Sequence, residues 1–313
     1  MSRPTGLLFA IVLVVALTSC SAPGAGTPGG SAVGASPATA SPSSAIPSTP
    51  ASPNAGSSTP TAEPPGSASA SPVKETMVVR NYHFLEDASG GNPGLVPVER
   101  TVPKSVAVAR AALTTLLAGP SDSERSAKPP VVTWIPDGTE LLGIEVSGGT
   151  ATVDLSGTFT SNRGTFAVGG RFAQVVYTLT QFPTVDRVAF RIDGAAATEF
   201  SPATRATFRD TYQPPMFVDE PAWGAALPAG GRAAGSANVF EAQFRLAVLD
   251  AKGKTLLDRP VLATCGTGCW GTFSVTVAYH VTVAQAGTLR VWDPSEQDGS
   301  PQNVREYPVK LTP

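Results

Sequence analysis

A long segment of small and polar residues limits how much of this chain can fold. From Ser21 to Pro72 the sequence consists of Ser, Pro, Ala, Gly and Thr, interrupted by only four residues of other types. Such a segment has almost no apolar surface to bury and cannot offset the entropy lost on ordering, so we expect a disordered tether. The folded structure must come from the residues that follow, about 240, which is enough for two ordinary domains.

The first twenty residues have the pattern of an exported protein. Arg3 precedes an apolar run from Leu7 to Leu17, which has the length of a signal-peptide core and is too short to span a membrane. The next residues, Leu17-Thr18-Ser19-Cys20, resemble the lipobox of bacterial lipoproteins. This resemblance implies cleavage after residue 19, attachment of lipid to Cys20 and stable anchoring at the extracytoplasmic face of the cell membrane. The alternative is an ordinary secreted protein in which the cysteine falls there by chance.

The charge balance gives the chain no general affinity for polyanions. Lys and Arg together number 22 and Asp and Glu 24, which gives a formal net charge of −2. Proteins that bind nucleic acid usually have a marked excess of positive charge. We therefore expect no nucleic-acid partner, and contact with the membrane only through the lipid at Cys20.

The first folded segment combines strand and helix patterns. Strand-like runs extend from Met77 to Phe84 and from Leu95 to Val102. Apolar residues at helical spacing follow between Ala109 and Leu117, with Ser105 as the expected N-cap and Gly119-Pro120 as the expected stop. The sequence therefore predicts an α+β (mixed α/β) domain, to which we assign residues 76–211 after a signal peptide at 1–19 and a linker at 20–75.

Further elements of this domain are visible in its second half. Ser147-Gly148-Gly149 separates two strand-like runs and predicts a hairpin. An apolar stripe from Phe172 to Phe182 predicts a second helix that ends before Pro183, and a strand follows from Val185 to Ile192.

The remaining residues, 212–313, have the period-two pattern of an all-β domain. In Val239–Val248 the even-numbered positions are apolar, and in Phe273–Val283 the odd-numbered ones are. Alternation of this kind, with Gly, Pro and Asp at the breaks, is typical of antiparallel sheets packed as a sandwich.

Several segments resemble a known pair of domains. The GerMN domain of sporulation and spore-germination lipoproteins is similar to this chain at residues 113–120, 134–142, 151–156, 174–180 and 192–194. The immunoglobulin-like domain associated with bacterial spore germination is similar at residues 238–242, 271–273 and 287–291. The resemblance implies an α+β GerMN-like domain followed by an all-β immunoglobulin-like sandwich, and a place in sporulation-related envelope assemblies. It supplies no catalytic residues.

Cys265 and Cys269 are candidates for a disulfide, because paired cysteines outside the cytoplasm usually oxidise. An extended backbone would separate their α-carbons by about 13 Å, too far for a disulfide. Gly266 and Gly268 permit the tight turn that closes this gap. The alternative is a metal site or a reactive thiol pair, and a metal site needs further ligands.

Other motifs give weak signals for catalysis or cofactor binding. Gly266–Gly271 matches G-x-G-x-x-G, but a strand pattern follows it where dinucleotide binding requires a helix. Asp154 and Asp193 lie at strand ends, where carboxylates usually accept hydrogen bonds within turns. His83 and His280, the only histidines, fall in predicted strands, and His83 fits a structural or surface role. We therefore predict no catalytic residue, no cofactor and no metal.

Trp270, beside the cysteine pair, is the candidate interaction residue. An exposed tryptophan there would contact a glycan or a protein partner, and burial within the sandwich is the alternative. From these features we predict a non-enzymatic interaction or scaffold lipoprotein of the cell envelope, with envelope proteins or peptidoglycan as partners. The alternative function is a cell-wall hydrolase or a regulator of one.

Overall fold

The structure of the chain is a computed structural model that describes residues 75–86, 93–161 and 164–313. The predicted signal peptide, the linker and Cys20 lie outside the described residues. We call residues 76–212 the first lobe and residues 216–312 the second lobe. No helix within the described ranges has the length and apolar character needed to cross a membrane.

The first lobe contains seven strands and four helices among the described residues. In chain order they are β1 (Thr76–Leu85), β2 (Gly94–Pro103), α1 (Val108–Leu117), α2 (Asp122–Arg125), β3 (Val131–Val132), β4 (Leu141–Ser147), β5 (Thr150–Leu155), α3 (Thr165–Leu179), β6 (Arg187–Ile192), β7 (Ala195–Ala196) and α4 (Arg205–Tyr212). One sheet has the order β2-β1-β3 and the other the order β4-β5-β6-β7. Strands β5 and β6 are parallel, with α3 between them in the chain, and this arrangement confirms the α+β class.

Helix α3 is the centre of this lobe because it is apolar around most of its circumference. Every residue from Gly169 to Leu179 is buried. Gly170 allows a particularly close approach: a Cβ built there would lie 2.2 Å from Cε3 of Trp134. The indole of Trp134 therefore packs directly on the helix backbone and stacks on Phe84, with the ring centroids 3.9 Å apart.

The second lobe is a sandwich of two sheets, as the period-two pattern predicts. Its strands are β8 (Met216–Glu220), β9 (Ala226–Pro228), β10 (Gly231–Ala237), β11 (Gln243–Asp250), β12 (Thr255–Leu262), β13 (Gly271–Val277), β14 (Gln285–Pro294) and β15 (Pro301–Thr312). One sheet has the order β13-β10-β8, and the other the order β12-β11-β14-β15-β9. Alternate residues point into a shared core, where the rings of Phe244 and Phe273 lie 4.9 Å apart.

Some boundaries differ from the sequence predictions. Helix α1 begins at Val108 with Ala107 as N-cap, and the Ser105 hydroxyl instead accepts a hydrogen bond from the Ala107 amide at 3.2 Å. Strand β13 ends at Val277, so His280 is exposed beyond the strand and not within it. Apolar and polar residues continue to alternate after Val277 as they do within the strand, so the sequence pattern gave no sign of where β13 ends.

Helix α4 was not predicted, and it spans the predicted boundary between residues 211 and 212. Its sequence is mostly polar, and only Phe208 and Tyr212 are buried. These two residues are one helical turn apart and pack on the first lobe. Two apolar positions are too few for a periodic signal, although they are enough to fix a short helix by tertiary contacts.

The two lobes share their cores. Leu85, Val96 and Val98 of the β1–β2 hairpin pack in the core of the second lobe. In return, Phe217 of β8 packs in the core of the first. All described residues belong to one compact unit. The hairpin therefore has both faces covered near its turn, and it joins the lobes into a single body.

Candidate functional site

Charged and aromatic side chains meet where α3 and α4 face the second lobe. Tyr82 of β1 is fully buried, and its hydroxyl donates a hydrogen bond to Asp219 Oδ1 of β8 at 2.5 Å. Arg205 Nη2 of α4 donates to the Tyr82 hydroxyl and to the Tyr177 carbonyl, each at 3.0 Å. Arg80 forms an ion pair with Asp219 at 3.3 Å. We call these five residues the seam network.

The environment of the seam network raises the pKa values of Tyr82 and Arg205. Burial, together with the nearby Asp219 carboxylate, raises the pKa of Tyr82 above its usual value. Burial alone would lower the pKa of Arg205, but Tyr82 and Asp219 outweigh this effect and raise it. The guanidinium of Arg205 also lies over the rings of Tyr82 and Tyr177, at 4.9 and 4.8 Å from their centroids. The tyrosine is thus a permanent donor and the arginine a permanent cation.

A second polar link runs through Gln213, the residue that follows α4. The Tyr177 hydroxyl donates to Gln213 Oε1 at 2.9 Å, and Gln213 Nε2 donates to the Ser236 hydroxyl of β10 at 2.8 Å. Because Gln213 lies between the lobes, these two hydrogen bonds fix α4 against the sheet β13-β10-β8.

Beside the network, the same elements enclose an open cleft of about 780 Å³, which we call the seam cleft. One wall is formed by α4 and Arg80, and the floor by the outward face of β8, β10 and β13. The register pairs Ser236 with Thr272 and Ala234 with Ser274, so the hydroxyls of the two strands lie side by side. Thr264 and the exposed Leu262 complete the far edge.

The seam cleft carries an excess of positive charge. Arg80, Arg205, Arg209 and Arg232 line it, against the two carboxylates Asp219 and Glu220. Asp219 pairs with Arg80, and Arg232 donates to Glu220 Oε2 at 2.8 Å. Among the described residues Arg209 has no ion-pair partner, and its guanidinium lies 5.6 Å from the centroid of the Trp270 ring. The lining thus has four cations and two anions.

Trp270 borders the seam cleft without lining it. Its indole N–H donates to Asp210 Oδ1 of α4 at 2.5 Å, and its ring is half-buried under Arg209. The structure therefore places Trp270 neither free on the surface nor inside the sandwich core, but against the first lobe. The hydrogen bond from its indole therefore connects α4 with the loop that follows β12.

That loop contains a disulfide between Cys265 and Cys269, whose α-carbons are 5.8 Å apart. Gly268 has a φ of +94°, which a residue with a Cβ rarely adopts, and a Cβ at Gly266 would lie 2.3 Å from the Ala242 nitrogen. Both glycines are therefore needed for the turn. Strand β13 begins at Gly271, so the G-x-G-x-x-G stretch leads into a strand and provides no helix N-terminus.

Other residues singled out in the sequence have structural contacts. Asp154 Oδ1 accepts a hydrogen bond from the Gly194 amide, and Asp193 Oδ1 accepts one from the Gly157 amide, both at 3.0 Å. Both carboxylates therefore have the expected turn role. His83 is fully buried, and its Nδ1 lies 3.3 Å from Gln174 Nε2. Burial, with the nearby Arg100 cation, lowers the pKa of His83 to about 3.

No metal centre is formed by the described part of the chain, since no group of three or more His, Cys, Asp or Glu side chains converges there. Trp134 and Trp223 are partly buried, and they pack against the cores of the first and the second lobe respectively. The residues that build the seam cleft were not among the sequence candidates. Their one signal in the sequence is the four-residue spacing of Arg205, Arg209 and Gln213, which places them on one face of α4.

Comparison with known protein families assigns both lobes. Residues 82–198 match the family model described as sporulation and spore germination. Residues 216–300 match the model described as the immunoglobulin-like domain of bacterial spore germination. The protein therefore has a GerMN domain followed by an immunoglobulin-like domain of the spore-germination type, which confirms the resemblance seen in the sequence.

Solved structures that include GerMN domains are weakly similar to part of this chain. The tandem GerMN domains of the sporulation protein GerM from Bacillus subtilis are 18% identical with a TM-score of 0.32, and the match covers 44% of this chain and 49% of that one. The first GerMN domain of the same protein is 24% identical with a TM-score of 0.30, covering 40% and 92%. This chain thus spans about half the length of the tandem GerMN structure.

A putative lipoprotein from Clostridium perfringens is 19% identical with a TM-score of 0.27, and the match covers 43% of this chain and 85% of that one. None of the curated proteins that were compared is significantly similar to the chain.

Proposed function

We propose that this protein is a non-enzymatic interaction module of the cell envelope, anchored by lipid at Cys20 and held outside the cytoplasm. The observation that carries the proposal is the union of the two germination-type domains into one body with a shared core. Because the lobes are fixed to each other, they present a composite surface, and the seam cleft is part of that surface. Such a surface suits a scaffold that contacts envelope proteins or peptidoglycan.

The internal use of the reactive side chains supports a binding role. Tyr82, Arg205 and Asp219 are joined to one another, and Glu220 is joined to Arg232. His83 is buried, and its environment keeps it neutral. A general acid or base must reach its substrate, whereas Tyr82 and His83 are fully buried, and Asp219 and Glu220 are each paired with an arginine.

The disulfide and the linker support placement outside the cytoplasm. Disulfides persist mainly in oxidising compartments, and the structure contains one between Cys265 and Cys269. The segment between Cys20 and the first lobe has about 50 residues rich in Ser, Pro, Ala, Gly and Thr, a composition that suits a tether between an anchor and the lobes.

Membrane anchoring is tested by fractionating cells that express the full chain. We expect the natural chain to sediment with membranes and to be released by detergent, while Cys20→Ala leaves the membrane fraction. Ser21→Ala is the matched control, because it alters the neighbouring residue and keeps the thiol. Equal partition of the Cys20→Ala and natural forms would contradict the anchor.

The non-enzymatic role is tested by incubating the full Cys20→Ala chain with purified peptidoglycan. Sedimentation with the polymer and no soluble fragments is the expected result for a wall-binding module. Crosslinking in intact cells covers protein partners, and we expect it to capture at least one envelope component. Release of wall fragments would support the hydrolase alternative, and the absence of both wall binding and crosslinks would contradict the scaffold role.

A further inference from the structure

We propose that the seam cleft binds a peptide through carboxylate groups that the peptide carries. This inference deepens the proposed function and rests on it, since it names the class of ligand that the composite surface takes. It depends on the charges, hydroxyls and dimensions of the cleft.

The charges of the cleft favour a ligand with one or two carboxylates. The four arginines and two acidic residues of the lining leave an excess of two positive charges. Within the seam network, Arg80 and Arg205 are held by Asp219 and Tyr82. Arg209, which has no ion-pair partner among the described residues, is therefore the cation most available to a ligand. Arg232 donates to Glu220, but its side chain is 59% exposed and can also reach a ligand.

Arg209 is positioned for a planar anion. Its guanidinium lies over the Trp270 ring, and that ring is fixed by the hydrogen bond from its N–H to Asp210. A guanidinium held over an aromatic ring by a cation–π contact can still give a carboxylate the two parallel hydrogen bonds that it accepts. Fixing the side chain in advance also reduces the entropy lost when the ligand binds.

The floor of the cleft suits the backbone of a peptide. Ser236, Thr272 and Ser274 present hydroxyls, which both donate and accept hydrogen bonds and so match amide N–H and C=O groups. Leu262, which is 67% exposed, gives an apolar contact at the edge. The volume of about 780 Å³ is within the usual range of ligand sites, roughly 300–1,000 Å³.

The acidic residues of the cleft argue against a densely charged polyphosphate. Asp219 and Glu220 line the same cleft as the arginines and would repel a chain with an anion at every unit. A peptide carries its carboxylates at intervals and can place amide groups beside these two residues. The mixed lining therefore favours a peptide over a polyanion.

The inference is tested by calorimetric titration of the full Cys20→Ala chain with a synthetic hexapeptide that contains two glutamates. We expect binding that weakens several-fold between 20 and 500 mM salt, because partly exposed ion pairs are screened over about 10 Å at 0.1 M and over shorter distances at higher salt. The analogue with two glutamines should bind at least about tenfold more weakly. Equal binding of the two peptides, or no binding of the glutamate peptide at millimolar concentration, would overturn the inference.

Charge variants identify the site. Arg209→Gln and Arg232→Gln should each weaken binding about fivefold, which corresponds to about 1 kcal/mol. Glu220→Gln should strengthen binding, an effect that mere disruption of the fold would not produce. Arg187→Gln is the matched control, since Arg187 is exposed on β6 outside the cleft and its loss changes the net charge equally. An equal effect of Arg187→Gln would show general charge attraction and overturn the site.

Inorganic phosphate added as competitor separates a peptide site from an unspecific oxyanion site. At the same concentration as the peptide, phosphate should weaken peptide binding only slightly. If phosphate competed as strongly as a second portion of the peptide itself, the peptide assignment would be overturned. None of these titrations uses membranes or wall polymer. A failure here therefore leaves the anchor and scaffold tests unaffected, and their failure can be told apart from this one.

Discussion

Acidification should destabilise the fold through His83, well above the pH at which most carboxylates titrate. The imidazole is 0% exposed and its Nδ1 faces Gln174, while its Nε2 has no hydrogen-bond partner among the residues that the structure describes. Burial, with a further contribution from the Arg100 cation, lowers the pKa of His83 to about 3, from a usual value near 6.5. Glu124 opposes this shift only in part.

The size of the effect follows from proton linkage. Below about pH 6.5 the unfolded chain binds a proton at residue 83 that the folded chain does not bind. The free energy of unfolding therefore decreases as the pH is lowered. The slope approaches about 1.4 kcal/mol per pH unit, and the loss integrated from pH 7 to pH 5 is about 2 kcal/mol. Glu124, whose pKa is lowered chiefly by hydrogen bonds from Arg100 despite its burial, loses its contribution mainly at lower pH.

The measurement is urea unfolding of the full Cys20→Ala chain at pH 7 and pH 5, followed by tryptophan fluorescence. In His83→Leu the loss of stability between the two pH values should be smaller by about 2 kcal/mol than in the parent. His280→Leu is the matched control, because His280 is exposed and its replacement should leave the difference unchanged. A parent chain with equal stability at both pH values would refute the reasoning, as would a His83→Leu chain that keeps the full difference.

Three further perturbations test the packing of the lobes, each by urea unfolding. Tyr82→Phe should cost roughly 2 kcal/mol because it removes hydrogen bonds to two charged groups. Tyr307→Phe loses only uncharged partners, a 3.5 Å hydrogen bond to the Met216 carbonyl and one with the Val218 backbone; it should cost less, and equal costs would contradict the seam network. Gly170→Ala should cost about 1–3 kcal/mol, since the new methyl group overlaps the Trp134 ring, and an unchanged midpoint would contradict that packing. Cys265→Ser should cost only about 2 kcal/mol because the closed loop is short, and complete unfolding would show that the disulfide does more than shape the loop.

The sequence predicts the elements whose signals are local. The β4–β5 hairpin turns at Gly148 and Gly149, both with positive φ, where the Ser-Gly-Gly stretch indicates it. Helix α3 carries enough apolar residues for its period to be visible, although the structure starts it earlier, at Thr165. These features depend on neighbours in the chain, so the sequence is sufficient to find them.

The site depends on residues that are distant in the sequence. Arg80 and Asp219 are 139 residues apart, and Tyr82 and Arg205 are 123 apart. No spacing rule brings such pairs together, because their meeting depends on how the hairpin packs between the lobes. Trp270 illustrates the same limit: the residue was noticed, but its contact with Asp210 could not be foreseen before α4 was placed.

Helix α4 joins the structural and the proposed binding roles of the seam. Arg205, Arg209 and Gln213 follow one another at intervals of four residues, so all three face the second lobe. Arg205 and Gln213 are fixed by hydrogen bonds, to Tyr82 and to Ser236 respectively. Arg209, between them, is therefore held in a defined position while its charge stays available. A helix anchored one turn before and one turn after Arg209 holds that cation at the wall of the cleft. The same contacts that unite the lobes therefore prepare the surface to which a ligand would bind.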